Sequence, residues 1–253
     1  PKPSVLVIPG GEVTATQNNE KVIKWIQQNA TDADHVLSVC NGAYILAKTG
    51  LLDGQSATTF YDLIDGLVAA APKTKVVTDK RFVDNGKTIT TAGISSGIDG
   101  SLHVVSKMLG KGRAQQVALN MEYHWQPEVN YARASFADIH LRRIFTRGLR
   151  LNLPQESEAR VLSTEGGAAS WEVNWEIKTT AAPQTILESM NNDLATRGRW
   201  AKRTSGQAAS SNRSEWSFTD DKGGSWAAVA SVEPAPGDSS KLTARVRIES
   251  RKP

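Results

Sequence analysis

The stretch VLSVCNGAYILAKTGLLDGQSATT, from Val36 to Thr59, decides the fold. Val36-Leu37-Ser38-Val39 is a short apolar run that reads as a buried strand, and it ends at Cys40. Asn41-Gly42-Ala43 then leads at once into the helical pattern Tyr44-Ile45-Leu46-Ala47. A cysteine on so sharp a strand-to-helix turn is lifted off the sheet. The backbone N–H groups that follow it point at the sulfur, an arrangement that stabilises a sulfur anion and a developing oxyanion. Gly42 lets the backbone pass close beneath the sulfur without a Cβ. The competing reading is a small buried core residue, the usual fate of a free cysteine.

Working outward, Ser4-Val5-Leu6-Val7-Ile8 has the look of a parallel strand covered on both faces, and it stops at Pro9-Gly10-Gly11. A helix is expected from Asn19 to Ala30, with Val22, Ile23 and Ile26 on one side. Beyond the elbow helix, Phe60 to Ala70 reads as helix and Lys75-Val76-Val77 as a short strand. Asp84-Asn85-Gly86-Lys87 is a hairpin-type turn, Thr88 to Thr91 a strand, and Ala92-Gly93-Ile94 the opening that follows it. Amphipathic helices are expected over Ile98–Leu109 and Arg113–Tyr123, the latter with Val117, Ala118 and Met121 on its inner face. Strands alternating with helices at this spacing predict a flavodoxin-like, doubly wound α/β sheet. Reactive groups in such sheets gather beyond the carboxyl ends of the strands, here Gly10, Gly11, Cys40, Gly93 and Ile94.

Composition narrows the classes. The 253 residues suffice for one large domain or two ordinary ones, and a formal charge of +4 with both signs well mixed gives no argument for nucleic-acid binding. A single cysteine excludes internal disulfides. No apolar run approaches the roughly 20 residues of a membrane span. No Cys/His/Asp spacing suggests a metal site, no Gly-rich phosphate loop follows a strand, and no cofactor is expected.

Several motifs in order resemble the ThiJ/PfpI family, a branch of the class I glutamine-amidotransferase-like fold. They are Pro9-Gly10-Gly11, Ser38 to Ala43, Gly50-Leu51-Leu52-Asp53-Gly54, Ala57-Thr58-Thr59, Thr91 to Gly100, and Glu122-Tyr123-His124-Trp125. The resemblance implies that Cys40 is the elbow nucleophile and that the N–H groups of Gly11 and Asn41 line an oxyanion-type pocket. Members with a hydrolase-like dyad carry a histidine directly after the cysteine or after the Ala-Thr-Thr turn, where this chain has Asn41 and Phe60. Neither residue takes a proton from a thiol, so peptidase activity is not expected. His35, His103, His124 and His140 remain, without an orienting partner among their sequence neighbours. The family fold also begins with a strand, helix and strand before the Pro-Gly-Gly turn. A complementary N-terminal fragment or second chain is therefore expected to complete the sheet and cover an apolar edge. A homo-oligomer is expected too.

From Ala159 onward the pattern changes. Trp171-Glu172-Val173-Asn174-Trp175-Glu176-Ile177 alternates as a strand, Pro183 opens a helix through Ile186, Leu187, Met190 and Leu194, and Gly198 is its stop signal. Strands are expected at 199–202, 214–218, 225–232 and 241–249, giving one helix on an antiparallel sheet, with the tryptophans as packing. The expected domains are 1–138, a linker at 139–158 that includes the basic amphipathic run Leu141–Arg147, and 159–253. The second weakly resembles accessory modules of exported bacterial proteins, which favours an exported compartment over the cytoplasm. Three readings of function stay open: a cysteine-dependent hydratase or hydrolase acting on a small electrophile, a ligand-binding or redox-sensing module without its base, and a structural role.

Overall fold

The computed structural model describes residues 3–128, 132–142, 151–197, 199–203, 212–220, 223–238 and 240–251. It divides into two compact units, 1–135 and 136–253.

The first unit is α/β. Strand β1 (Val5–Ile8) precedes a short helix α1 (Thr14–Gln17) and α2 (Glu20–Asp32), whose N-terminus is capped by the Asn19 side chain accepting from the N–H groups of Lys21 and Val22. Then come β2 (His35–Ser38), α3 (Gly42–Lys48), β3 (Ser56–Ala57), a 3-10 turn at Tyr61–Leu63, α4 (Ile64–Ala70), β4 (Lys75–Val76), β5 (Phe82–Asp84), β6 (Thr88–Thr91), α5 (Ile94–Leu109) and α6 (Lys111–Asn120). The main sheet has the order β1-β2-β6-β5, parallel except for β5, which pairs antiparallel with β6 around the Asp84–Lys87 turn. Helices cover both faces. Leu6, Ile8 and Val36 pack with Ile26, Ile45 and Leu46 of α2 and α3, and Leu37 and Ile89 pack with Val104 of α5. Because successive strand side chains alternate faces, Val36 and Leu37 serve the two layers in turn.

One expectation is corrected here. Helix α5 begins at Ile94, not Ile98, so Gly93 is its cap and the Ser95-Ser96-Gly97 stretch its first turn. Its glycines permit close packing, since a Cβ on Gly97 would stand 2.7 Å from Val39 Cγ1. The short strand expected at Lys75 is present and pairs with Ser56–Ala57 in a separate two-stranded sheet. The two compact units meet between residues 135 and 136, and Ala137 and Leu141 are fully buried in the core of the second, with Leu151 and Leu153 packed on it. Arg143–Arg147 lies outside the described residues.

The second unit carries α7 (Ile139–Arg142), β7 (Glu158–Gly166), β8 (Ser170–Lys178), α8 (Pro183–Arg197), β9 (Ala201–Lys202), β10 (Arg213–Thr219), β11 (Ser225–Pro234) and β12 (Lys241–Arg251). They form an antiparallel six-stranded sheet in the order β7-β8-β12-β11-β10-β9. Helix α8 contributes Ile186, Leu187, Met190 and Leu194 to a core with Trp175, Ile177, Val246 and Ile248. Trp200, Trp216 and Trp226 are buried in the same core, which fits packing rather than a ligand platform. Strand β7 is an addition to the expected set. Gly198 lies outside the described residues.

Candidate active site

Cys40 sits two residues past β2 and two before α3, with φ at +56°, the left-handed region that non-glycine residues seldom occupy. Holding it there costs about 1–3 kcal/mol, so the surroundings must over-determine the turn. They do so from three sides. Thr59 Oγ1 donates to the Cys40 carbonyl at 2.9 Å, which is the task of the Ala57-Thr58-Thr59 motif. The Val39 N–H donates to the Ile8 carbonyl at 3.0 Å. Asn41 binds the Pro9-Gly10-Gly11 turn through both ends of its amide: Oδ1 accepts the Gly11 N–H at 2.8 Å and Nδ2 donates to the Gly11 carbonyl at 2.7 Å.

That last pair revises the expected oxyanion pocket. The Gly11 N–H is already spent on Asn41, whereas the Asn41 N–H has no acceptor among the described residues. Gly42 also acts differently from the expectation. Its missing Cβ would stand 2.5 Å from the Ile8 carbonyl oxygen and 2.8 Å from that of Pro9, so it makes room for the end of β1 rather than for the sulfur.

Beside Cys40 lies a cleft of about 640 Å³. Gly10, Gly11, Cys40 and Ile94 line it, whereas Asn41, Gly42 and Gly93 do not. Gly93 instead packs near the Phe60 ring, and Gly42 is buried. The remaining walls are Ile98, Ser101, Leu102 and Val105 of α5 with Val117 and Met121 of α6 and its end. Of these wall residues, Val117 and Met121 were read from periodicity as an inner helix face, and those of α5 as part of an amphipathic helix. Their helical spacing was visible in the sequence, but not that the stripe borders an opening.

None of the four histidines lines the cleft. His103 Nε2 pairs with Asp84 Oδ2 at 2.8 Å, His35 Nδ1 with the Gly86 carbonyl at 3.2 Å, and His124 Nε2 with Gln126 Nε2 at 3.2 Å. His140, in the second unit, packs edge-on against the Phe218 ring and tilted against that of Trp226. A polar cluster that sequence reasoning missed ties the crevice end of α5 in place: Arg81 bonds the buried Asp99 and donates to Ser95 Oγ at 3.1 Å, and Tyr123 Oη donates to Asp99 Oδ1 at 2.8 Å. Burial, then the Asp99 hydrogen bond, holds the Tyr123 phenol above its usual pKa. Arg81, Asp99 and Tyr123 are far apart in sequence, and nothing local marks them as partners.

A parallel sheet with a strained cysteine at the carboxyl end of its second strand defines a nucleophile-elbow α/β domain, and residues 2–107 match the DJ-1/PfpI family model and form a domain of that family. The chain is 37% identical over 123 residues to the isonitrile hydratase of Pseudomonas putida, covering 47% of this chain and 51% of the relative. It is 30% identical over 97 residues to the HTH-type transcriptional regulator CdhR of Pseudomonas aeruginosa, covering 38% and 29% respectively. Among solved structures, a ThiJ/PfpI family protein from Pseudomonas syringae aligns with 29% identity over 52% of this chain and 54% of its own, at a TM-score of 0.45. The chain thus spans about half or less of the length of the curated relatives named here.

Proposed function

We propose that the first unit is a cysteine-dependent hydratase acting on a small electrophile whose carbon is multiply bonded to nitrogen. The observation that carries this reading is the chain's one cysteine, held at a positive φ at the end of an open cleft. The partial likeness to an isonitrile hydratase agrees with it. The Cys40 S–H adds to the multiple bond: sulfur bonds to carbon, and the electron pair this frees takes up the thiol proton, at nitrogen for a nitrile and at the same carbon for an isonitrile. The Asn41 N–H, next to Cys40 and without an acceptor among the described residues, is the donor available to the charge that develops in this step. Water then adds to the same carbon, and the thiol leaves as S–H, so the sum is one water added and the enzyme is regenerated. With Asn41 and Phe60 in the places of the family's histidines, protons pass through water in the cleft.

The test is turnover of a panel of small isonitriles and nitriles by the wild type and Cys40→Ser. The expected result is at least a 10³-fold loss in the variant. Equal turnover in both removes the proposal. The same absence of histidine favours a second reading, a binding or redox-sensing module, which predicts ligand retention or a reversible sulfenic acid without turnover. For partners, β1 is the outer strand of its sheet, and Val7 on it is 52% exposed, which supports a further strand from a partner polypeptide or a second copy.

A further inference from the structure

We infer that the compound presented to Cys40 is uncharged and carries an apolar tail lying along α5, an inference that rests on Cys40 being the reacting group. The cleft has the sulfur and the Gly10-Gly11 turn at its polar end. From there Ile98, Leu102 and Val105 follow one face of α5, with Val117 and Met121 opposite. Ile98 and Val105 are seven residues apart, which sets that wall at about 10 Å long. No charged side chain lines the cleft among the described residues. Its one hydroxyl, Ser101 Oγ, donates to the Gly97 carbonyl at 2.8 Å, so its proton is already committed. A carboxylate or ammonium group drawn into this trough loses hydration and meets no counter-charge. An alkyl or aryl tail instead removes the exposed surface of Met121 and its neighbours from water. The tail selects the substrate, and the turn at Cys40 performs the chemistry.

The chain's one cysteine makes the test direct, because covalent labelling of the intact protein reports a single site. The full chain is treated with iodoacetamide, with N-methyl, N-butyl and N-hexyl iodoacetamide, and with iodoacetate. Each reaction forms one Sγ–C bond as iodide leaves and the thiol proton goes to water. Rate constants from intact mass are divided by those of N-acetylcysteine, which cancels reagent reactivity. The expected result is a rise of about two- to fourfold per methylene until the trough is filled. Iodoacetate is expected to fall at least about tenfold behind iodoacetamide. Met121→Lys changes a half-exposed residue at low risk to folding, and it should restore iodoacetate several-fold while flattening the tail series. A flat tail series with Cys40 still reacting readily overturns this inference and leaves the active-site reading standing. A Cys40 inert to every reagent overturns both.

Discussion

A Cβ added to Gly10 would stand 2.7 Å from Asn41 Oδ1, 2.8 Å from Cys40 Cβ and 2.9 Å from the Val39 carbonyl oxygen. The first neighbour is a side-chain end held by two hydrogen bonds to Gly11, and the other two belong to the strained turn itself. Gly10→Ala must therefore displace either the Pro9–Gly11 turn or the cysteine. Overpacking of this kind costs about 1–3 kcal/mol, and urea denaturation monitored by far-UV circular dichroism should show it. The same variant should label at Cys40 with altered rate, because the turn that flanks the sulfur has moved. Unchanged stability and unchanged labelling would mean that the contact is not tight. At this scale the sequence was legible where the chemistry is local. A cysteine between a strand and a helix and glycines at the strand ends follow from neighbouring letters, whereas the missing histidines follow from the family resemblance. The Asn41–Gly11 amide pair does not, since it joins residues 30 apart and depends on how the two turns meet in space.

Elements were legible in proportion to how cleanly one face is buried. Strand β8 buries Val173, Trp175 and Ile177 in alternation and was expected in its observed place. Strand β7 was not, because Glu158–Gly166 is an edge strand exposed along nearly its whole length, so its letters carry no alternation. Helix α5 was expected four residues late because its first turn holds two serines and a glycine that read as loop. What fixes this helix against the β5–β6 hairpin is partly Asp84. Its carboxylate accepts from His103 Nε2 at 2.8 Å, from Lys107 Nζ at 2.8 and 3.0 Å, and from the Gly86 N–H at 2.7 Å. Partial burial pushes its pKa up, but the hydrogen bonds from His103, Lys107 and Gly86 outweigh this and hold it below the usual carboxylate value. A carboxylate whose folded pKa is depressed stabilises the protein fully above its unfolded pKa, and that stabilisation is lost as pH falls through the folded value. Asp84→Asn should therefore cost about 1 kcal/mol at pH 7, a figure reduced for the partial exposure of the pair. Thermal melts of both proteins from pH 7 downward should show the gap closing below the usual carboxylate range. A gap independent of pH would assign the effect to packing.

At the scale of the whole chain, the two units differ in how completely each closes on itself. In the second, helix α8 lies on one face of a six-stranded sheet, and Trp175, Ile177, Ile186, Met190, Leu194, Val246 and Ile248 are each at or below 1% exposure. Neither edge of that sheet invites pairing, because β9 is two residues long and β7 carries a register shift between Val161 and Ser163. The first unit keeps an open outer strand in β1 and leaves Val7, Ile94, Leu119 and Met121 more than half exposed. Surfaces of that kind associate. Residues 136–253 expressed alone should then fold as a monomer with one cooperative urea transition, its core Trp emission shifting on unfolding. Residues 1–135 expressed alone should elute larger than their mass in size-exclusion chromatography, and replacing Val7 and Leu119 by lysine should move them toward the monomer position. A monomeric, stable 1–135 fragment would show that the exposed apolar surface needs no partner, and the expectation of a strand added beside β1 would fall with it.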